Sequence, residues 1–83
     1  MVNKGLEGLP LGRVKKLSTI NDRMKYLRVA NGLKQEELAD ELGFSLEQVR
    51  YLEYHKKNIY HSDLIAYSKY FNVTIDWLVF GVI

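Results

Sequence analysis

Few side chains in this 83-residue chain could do covalent chemistry. Cysteine is absent, which removes the thiolate as nucleophile or metal ligand and makes a reducing compartment the natural setting. The two histidines, His55 and His61, lie six residues apart with no acid or nucleophile at a spacing that would recruit them as a base. No glycine-rich phosphate loop follows a strand pattern. The residues therefore predict no catalytic site, no metal and no cofactor. What remains is binding chemistry. Lys56 and Lys57 form a basic pair, and Lys4, Arg13, Lys15 and Lys16 crowd the first seventeen residues. Cations so grouped suit a phosphate-bearing polyanion.

Charge is unevenly spread. Residues 1–33 carry seven basic and two acidic side chains, a net +5, whereas residues 34–53 carry two basic and six acidic, a net −4. The acids Glu36, Glu37, Asp40 and Glu41 read as a solvated helix face, the earlier ones favouring that helix's N-terminus. No apolar run reaches membrane-spanning length, and the N-terminus has no signal-peptide pattern. A cytoplasmic protein is expected.

The elements that position the polar residues centre on residues 35–54. Leu38, Ala39 and Leu42 share a face of one short helix. Gly43 stands where the chain must leave that helix with positive φ. Ser45 then reads as an N-cap, with Gln48 three residues on to complete a capping box. Val49 and Leu52 face back toward Leu38 and Leu42. Two helices this short need further helices to stand on. The spacing predicts one from Thr19 to Asn31 with Gly32 as its stop, one capped by Ser62 with Leu64, Tyr67, Ser68 and Phe71 inward, and one capped by Thr74.

This pattern resembles the helix-turn-helix of lambda-repressor-like and Cro-like domains, the Xre family. Gln35, Ala39, Gly43, Val49 and Leu52 carry the match, and VTIDWL at 73–78 looks like the family's closing helix. The resemblance implies an all-α, five-helix domain over residues 19–81, preceded by a basic arm at 1–18. It implies an ion pair between Arg28 and Glu53, joining the first helix to the end of the recognition helix. It also implies a sequence-specific regulator of transcription that binds a double-stranded DNA operator as a homodimer, a repressor of Cro-like or phage type, without a second domain.

Under that resemblance the contact residues are Gln35, Ser45, Leu46, Glu47, Gln48, Arg50, Tyr51, Lys56 and Lys57. Leu46, Glu47 and Tyr51 take the base-reading positions: Leu46 toward a thymine methyl, Glu47 toward cytosine N4. Arg50 and Tyr51 meet phosphates or a guanine, and Gln35 braces a phosphate at its helix N-terminus. Histidine at 55 departs from the family's usual glycine and is expected to take positive φ, and Ile59 replaces a common proline. In the arm, Arg13, Lys15 and Lys16 either lie on DNA or belong to a tail; Leu6, Leu9, Leu11, Val14 and Leu17 would alternatively dock on the domain or a partner. A Leu–Glu–Tyr surface also suits a protein groove, so a small modulator or antirepressor that binds another regulatory protein is the alternative. The apolar ending WLVFGVI offers a dimer contact.

Overall fold

The computed structural model describes residues 17–55 and 57–81. Among these it contains five helices and no strand: α1 (Ile20–Ala30), α2 (Gln35–Leu42), α3 (Leu46–Leu52), α4 (His61–Phe71) and α5 (Ile75–Phe80). Their ends follow from local chemistry. Thr19 Oγ1 accepts from the Asp22 amide at 3.1 Å, Ser45 Oγ from that of Gln48 at 3.1 Å, and Thr74 Oγ1 from that of Trp77 at 2.9 Å. Each hydroxyl satisfies one orphan N–H of a first turn. Gly43 leaves α2 at φ +73° and Asn72 leaves α4 at φ +57°. Both occupy the left-handed region, which glycine adopts freely and asparagine at modest cost.

Three local expectations give way. Helix α4 begins at His61 rather than after Ser62. Asp63, the third residue of the helix, accepts from the Tyr60 amide through Oδ2 at 3.0 Å, so a carboxylate reaching back to the N-cap amide marks this helix start in place of a capping hydroxyl. Gln48 does not close a box with Ser45, because its side chain is drawn to Asp63. His55 has no positive φ; among the described residues of this loop Asn58 is left-handed, at φ +60°.

Each helix contributes to one core. Met24 and Leu27 of α1, Leu38 and Ala39 of α2, Val49 and Leu52 of α3, Tyr67 and Phe71 of α4, and Trp77 and Leu78 of α5 are buried, with Val73 between the last two helices. Ala39 is buried within this cluster, where a larger side chain would force its neighbours apart. Helix α5 packs on α1 and α4 and closes the core.

Its closure depends on a charged residue that lies outside the sequence motif. Arg23 is buried, and its guanidinium donates to Leu78 O at 2.7 Å, Val79 O at 2.8 Å and Leu17 O at 2.7 Å. It thereby supplies donors to two carbonyls in the last turns of α5 and ties Leu17, ahead of the α1 cap, to that helix. Burial pushes the Arg23 guanidinium below its ordinary pKa, against the favourable field of Asp22. Arg23→Leu should cost at least about 1.5 kcal/mol, the low end for losing a hydrogen bond to a charged group, read as a melting point lowered by several degrees.

The Tyr67 phenol is pushed well above its ordinary pKa, first by burial and then by the charges of Glu53 and Asp63, with Arg28 opposing. A raised native pKa favours the folded state fully below the unfolded value of about 10, and that stability is lost as pH rises through the native value. Stability should therefore fall above pH of about 10, and Tyr67→Phe should flatten the fall while changing neutral-pH stability by less than about 1 kcal/mol. Urea unfolding as a function of pH checks both.

Candidate nucleic-acid interface

Helix α3 has one face committed to the core and one presented outward. Val49 and Leu52 are buried, Glu47 and Arg50 are exposed, and Leu46, Gln48 and Tyr51 are half-buried. Seven residues cannot hold a helix by themselves. Its orientation comes from contacts made at its ends and along its side.

The C-terminal end carries the strongest. Glu53, the residue that closes α3, takes Arg28 Nε on Oε2 at 2.6 Å and Arg28 Nη2 on Oε1 at 3.1 Å. Gln35 Nε2 donates to the same Oε1 at 3.1 Å, and Arg28 Nη1 donates to Leu33 O at 2.7 Å. The side chains of Arg28 and Glu53 retain only 11% and 4% of their exposure. Planar bidentate pairing of this kind fixes direction as well as distance. Asn21, buried on α1, then donates through Nδ2 to Leu52 O at 2.8 Å and His55 O at 2.6 Å, closing carbonyls at the helix end.

Along the side, Gln48 Nε2 donates to Asp63 Oδ1 at 3.0 Å, bracing α3 against the start of α4. Tyr51 donates its hydroxyl to Lys57 O at 2.8 Å and accepts from Asn58 Nδ2 at 3.3 Å. Its ring lies 4.4 Å from that of His55, which meets Tyr54 edge-on at 5.4 Å.

The structure thus sorts the nine residues expected to make contacts. Leu46, Glu47, Arg50 and Tyr51 share the outer side of α3, with Ser45 exposed at its cap. Gln48 and Gln35 lie beside them, each with its amide nitrogen engaged inside the protein. Lys57 is exposed in the loop after α3. Lys56, together with Arg13, Lys15 and Lys16 of the arm, lies outside the described residues. A cleft of about 520 Å³ beside α3 is lined by Gln35 and Glu53 together with Tyr51, Tyr54 and His55. Lys25 and Arg50 supply its cations and Glu47 the carboxylate not held by Arg28. Such a surface can hydrogen-bond and ion-pair with a ligand, and no group of described residues could hold a metal ion.

Sequence reasoning missed four participants: Asn21, Lys25, Tyr54 and Asp63. Asn21 had a usable signal, since it stands three residues before Met24 on the inward stripe of α1, and a polar residue there requires a buried partner. Lys25 and Tyr54 had none beyond their charge and ring.

A family model described as Helix-turn-helix matches residues 24–78. No curated protein and no solved structure matches the chain.

The Glu53 cluster makes a measurable prediction. Glu53→Ala and Arg28→Ala should each destabilise by roughly 3–5 kcal/mol, because each strands a buried charge. The double variant should lose markedly less than the two losses added together, and denaturant unfolding of the four proteins gives that coupling.

Proposed function

From the premise that the chain belongs to the helix-turn-helix family of lambda-repressor-like, Xre-type DNA-binding domains, we propose that it is a sequence-specific regulator of transcription. In this reading it is a short repressor of Cro-like or phage type that binds a double-stranded operator as a symmetric dimer. Helix α3 enters the major groove N-terminus first, as recognition helices of this motif do. The observation that carries the reading is the outer face of α3: Glu47 and Arg50 project free while contacts to α1, α2 and α4 hold the helix beneath them.

The roles differ in kind. Glu47 accepts from cytosine N4, Leu46 packs on a thymine methyl, and Arg50 takes a phosphate or a guanine. Tyr51, its hydroxyl already engaged, offers its ring to the groove rather than a free donor. Gln35, Lys25 and the loop lysines Lys56 and Lys57 line the path of the phosphates, and the arm cations Arg13, Lys15 and Lys16 add contacts that position without reading sequence.

A second reading is favoured by the rings of Tyr51, Tyr54 and His55 gathered at the cleft: a modulator or antirepressor whose same face binds another regulatory protein. Aromatic anchors are common at the centres of such interfaces.

Glu47→Gln separates the two. On DNA it removes a charge that repels phosphates and exchanges a cytosine acceptor for an amide that favours adenine. Binding to any duplex should strengthen, and preference at one base pair should move by about 1–3 kcal/mol. Arg50→Ala should instead weaken binding and, if it holds a phosphate, flatten the slope of log affinity against log salt by about 0.9. Competition over a randomised operator library measures both; no preference for any sequence in wild type or variants defeats the DNA-reading proposal.

A further inference from the structure

Tyr51 stands on the outer side of α3, yet it is committed to the chain that follows that helix. Its carbonyl accepts from the amides of Tyr54 at 3.1 Å and His55 at 2.8 Å. Its ring lies 4.4 Å from that of His55. Its hydroxyl gives its one proton to Lys57 O at 2.8 Å and accepts from Asn58 Nδ2 at 3.3 Å. Asn58 holds φ +60°, a conformation that asparagine adopts at modest cost and most side chains avoid. The hydroxyl thus grips the loop at two successive residues, one by its backbone and one by its side chain.

We propose that Tyr51 is a positioning residue: its hydroxyl fixes the loop after α3 so that Lys57 meets a phosphate, and it reads no base edge. This role rests on the DNA-binding reading above, and it differs from the base-reading task that the family resemblance implies for the position. A phenol has one proton, and here a main-chain carbonyl holds it. Donating to a base would first break that bond. A lysine, by contrast, gains from a strut. Its side chain is long and flexible, and ordering it on a phosphate costs conformational entropy. A mobile main chain beneath it would add to that loss. Lys57 is exposed, and pinning its carbonyl to a helix side chain removes the backbone share of the cost in advance. Glu47 offsets Arg50 on the outer face of α3, which raises the value of a cation held in the adjoining loop. Phosphate contacts fix register without reading sequence, so the Tyr51 hydroxyl acts on affinity for every duplex alike.

Tyr51→Phe keeps the ring and removes only the hydroxyl. For the full chain as wild type, Tyr51→Phe, Lys57→Ala and the double variant, affinity is measured across a range of salt. The duplexes are an operator selected from a randomised library and an unrelated sequence. Lys57→Ala should flatten the slope of log affinity against log salt by about 0.9. Tyr51→Phe should weaken both duplexes by the same factor, roughly two- to tenfold for one hydrogen bond, and leave base preferences unchanged. In the Lys57→Ala background it should cost less than in wild type. A preference that moves at any base pair overturns the proposal, as do equal costs in both backgrounds or no loss at all. Amide relaxation of the ¹⁵N-labelled protein without DNA gives a second readout: Tyr51→Phe should loosen Lys57 and Asn58 and leave Gly43 and Leu46 as they were. Unchanged order at Lys57 and Asn58 overturns the strut whatever the duplexes show. A wild type without sequence preference defeats the DNA-reading proposal instead, and the relaxation measurement tells the two failures apart.

Discussion

A single carboxylate holds α3 in place. Glu53 receives two hydrogen bonds from Arg28 of α1 and one from Gln35 of α2, at the point where α3 ends. Three short helices meet there, none long enough to be stable in isolation. A buried ion pair is poor evidence of net stability, because desolvation offsets much of its attraction. Its value here is geometric. The planar guanidinium admits few approaches to the carboxylate, so the angle of α3 is specified where apolar packing alone would allow sliding.

The contacts around that pair extend the same logic. Asn21 closes the carbonyls at the end of α3, Gln48 ties its flank to Asp63, and Tyr51 ties its outer edge to the loop at Lys57 and Asn58. Asp63 serves two elements at once, starting α4 and anchoring α3. Side chains held from several directions reach a ligand already ordered, which reduces the entropy lost on binding. Arg23 does at the opposite end of α1 what Arg28 does at its own, joining Leu17 to the last turns of α5. One helix thus anchors both the recognition helix and the closing helix through its polar side chains.

Much of the fold was legible in the residues. Gly43 and Ser45 marked the corner, Thr19 and Thr74 marked helix starts, and the apolar spacing of Leu38, Val49, Leu52, Tyr67 and Phe71 marked inward faces. These signals are local: a cap needs a hydroxyl three residues from an amide, and a helix face needs only periodicity. The resemblance to the Xre family, carried by the same residues, named the Arg28–Glu53 pairing without showing what else would join it.

Other features depend on atoms distant in the chain. The spacing of Gln48 points its amide back to Ser45, yet the fold brings Asp63, fifteen residues away, within reach, and the amide turns there instead. The same holds for Tyr51, whose hydroxyl is taken by a loop that places its left-handed turn at Asn58 rather than His55. Arg23 looked like one more cation of a basic N-terminal third, and only the arrival of α5 makes it a buried clamp. Most helix ends, the inward faces and the family were determined by the sequence alone, since each rests on neighbours within a turn or two, the start of α4 excepted. Which polar side chains remain free to meet a ligand was decided by the tertiary structure, because a donor's partner is whichever acceptor folding brings within about 3 Å.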